Sequence, residues 1–244
     1  MLSATDIPVP DHSDHSTSVL LLPAWQWIDN VTPANTPDLI THFVNPGPTN
    51  SSPYPYTKPS PDEHSSPAIP PSLPLKARPC AHKYLILMCS QKTRDARCGQ
   101  SAPLLRREFE RILRPMGLYR DLHDERPGGV GIYFISHVGG HKFSANVMVY
   151  RHSSVVQRGS ANGAVNGNGN GHVLPKVEDG EGREVLLDAD KEDEGEAAQC
   201  IWLARVMPED CENIIRYTVL QGKVVKPERQ LRGGFDRCKQ LASW

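Results

Sequence analysis

Two cysteines and two histidines stand in a pattern that can hold a redox cofactor. Cys89 and Cys98 lie in KYLILMCSQKTRDARCGQ, and His137 and His141 lie in YFISHVGGHKFSANVMVY. Thiolates and imidazoles are the soft and borderline donors that bind zinc, copper and iron–sulfur clusters. The C-x8-C spacing is wider than the about two to four residues that separate paired ligands in a zinc knuckle. The H-x3-H pair has Gly139 and Gly140 between its members. These glycines disfavour a helix and let the backbone pass close to a bulky group. Ligands this far apart suit a two-iron rhombus better than the corners of one tetrahedral ion. A lone cysteine or histidine is more often plain packing, but two pairs, each framing a loop beside an apolar run, lower that expectation. On spacing alone an iron–sulfur cluster leads and zinc stays a competitor.

The elements that must position these residues are legible. YLILM is short, apolar and bounded by polar residues, which predicts a buried strand ending at Cys89. SQKTRDARCGQ reads as a polar loop. Ser101 can cap a helix with Pro103 in its first turn, and Leu105, Phe109, Ile112, Leu113 and Met116 recur at helical spacing before Gly117. GVGIYFISHV and KFSANVMVY read as two strands joined into a hairpin by the short Val-Gly-Gly loop. CIWLARV is a further strand, and PEDCENIIRYTVLQ a helix with an acidic first turn closed by Gly222. The order strand, helix, strand, strand, strand, helix predicts an α/β fold. It suits a small thioredoxin-like domain, a mixed sheet with helices on both faces.

The remaining chain reads as scaffold, linker or address. Of 244 residues 22 are proline, crowded into the first third, and only 38% are hydrophobic, so a large share is expected to be disordered. Residues 1–45 form an N-terminal fragment whose patterned pieces are SVLLLPAWQW (a strand or docking peptide) and TPDLITHFV (a short helix with Thr36 as cap and Pro37 at its start); 1–17 read as disordered. Residues 46–80 are a Pro/Ser-rich linker and 81–235 the main domain, interrupted by a disordered insertion at 153–198 that holds NGAVNGNGNG and an acidic run. KVVKPERQLRGGFDRCKQLASW reads as a basic, flexible tail, with 236–244 outside the domain. A net charge of −1 draws the chain neither to nucleic acid nor to an anionic membrane. The longest apolar run is too short to cross a bilayer. The N-terminus has neither a secretory signal nor an Arg-rich presequence. Six cysteines in a chain of this length suit reduced thiols or metal ligands rather than a disulfide scaffold, which predicts a cytoplasmic setting with a mitochondrial alternative.

CSQKTRDARCG, followed by SAPLL and then HVGGHKFSANVMVY, resembles the sucrase/ferredoxin-like family of fungal proteins, which includes the actin-patches-distal and altered-inheritance-of-mitochondria types. The resemblance is strong over residues 83–152 and weaker over 200–244. It implies a thioredoxin-like ferredoxin domain carrying a [2Fe–2S] cluster, with Cys89, Cys98, His137 and His141 as ligands. Where relatives often have a histidine two places after the first cysteine, this chain has Gln91. Relatives also carry a fuller N-terminal domain than residues 18–45 supply.

Replacing two thiolates by neutral imidazoles makes such a cluster less negative and easier to reduce, as in Rieske centres. Each imidazole keeps a ring N–H that can couple proton to electron transfer. Backbone N–H groups near Gly99 and Ser101 are expected to donate to sulfur. The expected role is a one-electron carrier or redox sensor rather than an enzyme. The rivals are a zinc-stabilised interaction module and a thioredoxin-like thiol oxidoreductase, the latter lacking the C-x-x-C that tunes a reactive thiol. Lys92, Arg94, Arg97, Arg106, Arg107, Arg111 and Arg114 either dock an acidic electron donor or, as the stronger expectation, form a solvated helix face. Cys200 and Cys211 read as structural, Cys80 and Cys238 as lying in or beside flexible segments. The terminal Trp244 resembles a recruitment signal for the cytosolic iron–sulfur assembly machinery, with an unremarkable tail end equally open.

Overall fold

The computed structural model describes residues 2–8, 15–57, 70, 72–136, 138, 140–156 and 195–242, with the backbone alone described at position 141. A six-stranded mixed sheet forms the centre, in the order β5-β6-β4-β7-β8-β9. Its strands are β4 (Tyr84–Cys89), β5 (Tyr119–Arg120), β6 (Val130–Ile135), β7 (Val147–His152), β8 (Ala197–Leu203) and β9 (Leu231–Asp236). A second, antiparallel sheet comprises β1 (Thr17–Leu21), β2 (Gln26–Val31) and β3 (Lys76–Pro79). Helix α1 (Thr36–Leu39) runs on into a π-helical turn at Ile40–Val44. Helix α2 is Ala96–Leu113, α3 begins at Cys211–Asn213 and widens into the π-helical Ile214–Val219, and α4 is Pro227–Gln230.

β4 is apolar along its length because both of its faces are covered, as expected of a central strand. Its side chains alternate. Ile86 and Met88 join Val130, Ile132, Val147, Val149, Ile201 and Leu203 against Leu105, Phe109 and Leu113 of α2 and Ile214, Ile215 and Val219 of α3. Leu85 and Leu87 join Tyr133, Met148, Cys200 and Phe235 under Trp25 and Trp27. Both long helices therefore lie on one face. The second face, expected to carry a helix, is covered by the strands of the N-terminal fragment instead.

Two consecutive strands expected as a hairpin are separated. β6 pairs with β4 in parallel and β7 pairs with it antiparallel, on the opposite side. The crossover through α2 returns β6 parallel to β4, so β7 can enter the sheet only beyond β4. The connection 136–146 must then pass over the C-terminal end of β4, where Cys89 sits.

Three stretches expected to be irregular are structured. Residues 2–8 run beside β6: Thr5 bridges Ile135, the Ser136 N–H donates to the Ala4 carbonyl at 2.9 Å, and Asp6 accepts from the Phe134 N–H at 2.8 Å and from Arg106 Nη1 at 2.7 Å. The end of the linker, Lys76–Pro79, is β3 and pairs with β2. The tail supplies α4 and β9, the latter paired along β8. The segment 18–27 forms the β1–β2 turn, with the Trp25 N–H donating to the Leu21 carbonyl at 2.9 Å. Most of the expected insertion 153–198, all of it from 157 to 194, lies outside the described residues.

Candidate metal centre

Cys89 ends β4 and Cys98 lies in the first turn of α2, and the fold brings both to one end of the sheet. That helix starts five residues before Ser101, at Ala96, because Asp95 holds an extended backbone and its side chain accepts the Arg97 N–H at 3.0 Å. Ser101 is inside the helix and donates back to the Arg97 carbonyl at 2.7 Å. The Gly99 N–H, expected to face sulfur, instead closes the helical turn on the Asp95 carbonyl at 3.3 Å. Gly99 is required for a different reason: a Cβ there would stand 2.5 Å from Lys92 Cβ, so the loop after Cys89 packs flush on the turn that carries Cys98.

Both thiols are buried, Cys89 at 1% and Cys98 at 0% exposure, and their side chains interact. Burial pushes the Cys98 thiol up to about 11; the Ser144 hydroxyl, 3.2 Å from its sulfur, pulls the other way, while Cys89 and Asp95 add to the rise. A thiol like that of Cys98 gives up its proton readily only when a cation replaces it.

The crossing loop forms the roof. A 3-10 turn at His141–Phe143 is closed by the Phe143 N–H on the Gly140 carbonyl at 2.9 Å. The Arg205 N–H binds the Phe143 carbonyl at 3.1 Å, the Val206 N–H the Ala145 carbonyl at 3.2 Å, and the Cys89 N–H the Asn146 carbonyl at 3.2 Å. From β9, the Arg232 guanidinium stacks on Phe143 at 4.5 Å and on Trp202 at 4.1 Å, and its Nη1 donates to Asn146 Oδ1 at 2.7 Å. Burial lowers the Arg232 pKa and the nearby Cys89 sulfur opposes that shift. Gly140 has φ of +70°, and a Cβ on it would lie 2.7 Å from Phe143 Cδ2 and 2.8 Å from Arg232 Nη2. Glycine is the residue that fits both the backbone and the space.

His137 lies outside the described residues, as does the side chain of His141. Among the described residues, which include Cys89 and Cys98 but neither imidazole, no group of three or more Cys, His, Asp or Glu could hold a metal ion. Compared with known proteins, the family description "Sucrase/ferredoxin-like" matches residues 1–233. The chain belongs to the sucrase/ferredoxin-like family. It is 52% identical over 68 residues to actin patches distal protein 1 of Saccharomyces cerevisiae, covering 28% of this chain and 22% of that protein. It is 27% identical over 194 residues to altered inheritance of mitochondria protein 32 of Clavispora lusitaniae, covering 79% and 50%. To the protein of the same name in Debaryomyces hansenii it is 28% identical over 144 residues, covering 59% and 34%. The chain thus spans half or less of the length of these relatives. No solved structure matches it. No described helix of this sucrase/ferredoxin-like protein is long and apolar enough to cross a membrane.

The corner of this family member contains groups that carried no sequence signal. Asn146 Nδ2 and Trp202 Nε1 are buried and have no hydrogen-bond partner among the described residues. Buried donors are rarely left so, since each costs about 1–3 kcal/mol. At the end of the sheet that carries Cys89 they fit an acceptor-rich, anionic group, and the donor set fits an iron–sulfur cluster in that respect. Ser144, Asn146, Trp202 and Arg232 come from three separate stretches of chain, and no spacing rule connects them.

Other expected residues fall away from the corner or into ordinary roles. Arg106 pairs with Asp6 and Glu110, Arg111 with Glu108, Arg114 with Glu110 and Arg97 with Asp95. The basic set is therefore largely matched by its own neighbours, while Lys92, Arg94 and Arg107 are exposed. The Gln91 carbonyl accepts from the N–H groups of Arg94 and Asp95. Cys80 is not beside a flexible segment: it is buried, its N–H binds the Trp25 carbonyl at 2.9 Å, and burial pushes its thiol up to about 11. Burial raises the Cys200 thiol to about 12 and that of Cys211 further still. Cys238 is exposed in the turn after β9. Trp244 lies outside the described residues.

Proposed function

We propose that this sucrase/ferredoxin-like protein binds a [2Fe–2S] cluster through Cys89, Cys98, His137 and His141 and acts as a one-electron carrier or redox sensor. The observation that carries this reading is the meeting of two buried thiols under the loop whose sequence contains both histidines. The strand order β6-β4-β7-β8, with α2 crossing between its parallel pair, supports a thioredoxin-like ferredoxin domain as the scaffold, although both helices share a face. When bound, the cluster would take up and release a single electron. The protein's part is to exclude water with Phe143 and the apolar end of the sheet, to hold the Cys98 sulfur against the Ser144 hydroxyl, and to set the Arg232 charge near Cys89. A positive charge there favours the more negative, reduced state. The high pKa of Cys98 weighs against thiol exchange, which needs a readily formed thiolate.

A donor or acceptor protein is implied, and Trp244 is the proposed contact for the cytosolic iron–sulfur assembly machinery. We propose a cytoplasmic setting; the relatives' names point to actin patches in one case and to mitochondria in the others.

The test is to purify the chain anaerobically and assay iron, acid-labile sulfide and zinc on the sample that gives the absorption spectrum. A red-brown band with iron and sulfide in equal amounts is expected, lost in Cys89→Ser and in Cys98→Ser while the fold remains. A colourless protein with one zinc and no sulfide, even after anaerobic reconstitution, overturns the cluster in favour of a structural metal.

A further inference from the structure

Three buried side-chain nitrogens lack a partner among the described residues, those of His82, Asn146 and Trp202, and the last two both touch Arg232. Their placement follows from the ladder. β4 and β7 run antiparallel with Met88 opposite Val147, which sets Cys89 opposite Asn146, and the Cys89 N–H donates to the Asn146 carbonyl at 3.2 Å. Residues opposite each other carry their side chains on the same face, with Cβ atoms about 4.5–5.5 Å apart. The Asn146 amide thus shares its face with the Cys89 sulfur. Trp202 is registered with Met148, two residues along β7 from Asn146, and therefore also shares that face.

The orientation of the Asn146 amide is fixed chemically. A guanidinium only donates, so the amide edge facing Arg232 Nη1 at 2.7 Å must be the oxygen. The NH2 is then committed to the other side, where it meets no acceptor among the described residues. Arg232 is in turn held by two aromatic faces, so the amide cannot flip without breaking that arrangement.

We infer that Asn146 and Trp202 are positioning residues that donate their N–H groups to sulfur of the group bound at Cys89, with Arg232 fixing the Asn146 amide in the donating orientation. The inference rests on the cluster reading above and adds to it the residues that set the potential. Reduction places extra negative charge on the cluster sulfurs, and N–H dipoles aimed at them stabilise the reduced form more than the oxidised one. Removing a donor therefore lowers the potential without removing a ligand.

Trp202→Phe deletes the N–H and keeps a ring under Arg232, while Asn146→Ala deletes the amide. Each is compared with the wild-type chain after anaerobic reconstitution. The readouts are iron and sulfide content, the midpoint potential, and the shift of Fe–S stretching bands in the resonance Raman spectrum on transfer to deuterated water. We expect full iron and sulfide content, a roughly three- to tenfold weaker reduction equilibrium (tenfold being 59 mV for one electron), and a smaller deuterium shift. A variant with intact cluster, unchanged potential and unchanged deuterium shift overturns the inference and leaves the cluster reading standing. A wild-type chain without iron and sulfide overturns both. Should Asn146→Ala fail to fold, Trp202→Phe alone decides, and a wild-type cluster insensitive to deuterated water refutes the donors directly.

Discussion

The two faces of the central sheet are built by different rules. The face under α2 and α3 is aliphatic, filled by Ile, Leu and Val from neighbouring elements. Of the buried polar groups there, Arg151 caps the end of α3 by donating to the Val219 and Leu220 carbonyls and is steadied by Gln199 and, through it, Asp236. The opposite face is aromatic and polar. Trp25 donates its indole N–H to the His82 carbonyl at 2.9 Å and packs on His152; Trp27 meets Tyr133; Arg237 reaches back to the Ser52 and Pro53 carbonyls and to Glu196. The first face is closed by helices that each follow directly on a strand of the sheet, α2 on β4 and α3 on β8, whereas the second is closed by segments more than fifty residues away, held by a few directed contacts. The candidate metal centre lies where the two faces meet at one end of the sheet: register sets Cys89, Asn146 and Trp202 on the second face, and Cys98 comes from α2 on the first. A site built from distant segments is completed only when the whole chain has folded.

If both faces are parts of one cooperative unit, breaking either should unfold the whole. Trp25 is 1% exposed, and Trp25→Ala is expected to cost about 3–5 kcal/mol, comparable with Leu105→Ala on the helix side at about 2–5 kcal/mol. Chemical denaturation followed by far-UV circular dichroism checks this. A Trp25→Ala cost under about 1 kcal/mol, or a two-step transition, would show that the N-terminal cover unfolds separately.

The next largest effect is expected at Arg237, whose side chain is 0% exposed and bonds Glu196 at 2.7 Å. Arg237→Met leaves that carboxylate and the Ser52, Pro53 and Ala197 carbonyls without their donor, at a cost of about 3 kcal/mol. Limited proteolysis should then cut first between residues 45 and 57, the stretch that Arg237 anchors through Ser52 and Pro53. Cutting elsewhere first would mean that the anchor does not hold this segment.

The same contrast explains what could be read in the sequence. β4, α2 and α3 announced themselves through apolar runs and helical spacing, because each buries one face against a neighbour. Cys89 and Cys98 were legible as a pair from residue type and spacing, whereas the place of Cys98 in the first turn of α2 rather than in a polar loop was not. The start of α2 was misplaced because Ser101 and Pro103 are a good start signal, while Asp95 caps just as well and extends the helix through Cys98. The expected hairpin failed because two strands joined by glycines look alike whether they pair with each other or straddle a third. Thr5, Trp25 and Lys76–Pro79 sit in proline-rich surroundings, and their order comes from tertiary partners: Thr5 from its bridge to Ile135, Trp25 from packing on the second face, and Lys76–Pro79 from pairing with β2. Asn146, Trp202 and Arg232 meet only through sheet register, which composition and spacing do not encode.

A smaller effect is expected where the loop after Cys89 meets α2. A methyl at position 99 would stand 2.5 Å from Lys92 Cβ and 2.8 Å from its Cα, and the backbone there cannot swing away as a side-chain tip would. Gly99→Ala is expected to cost about 1–3 kcal/mol. It should also lower iron per chain, because the displaced turn carries Cys98. Full iron loading with unchanged stability would show that this turn has slack.

The smallest effect is a pH dependence that only the second face should show. His152 is 1% exposed, packs against Trp25 at 5.4 Å and bonds Ser154 at 2.9 Å. Burial lowers its pKa from 6.5 to about 3, and Lys83 adds to the shift. Because the folded-state value is depressed, the unfolded chain takes up the proton first as pH falls. The contribution is complete above 6.5 and is lost progressively between there and about 3. One pH unit below the unfolded value the loss is about 1 kcal/mol. Urea midpoints of the metal-free chain, measured from pH 7.5 downward, should therefore fall less steeply in His152→Gln than in the wild type. The metal-free form matters, because ligand protonation would otherwise add its own acid sensitivity. Parallel curves for the two proteins would mean that the imidazole takes up its proton as readily in the folded state as in the unfolded chain, and that the aromatic face tolerates a cation beside Trp25.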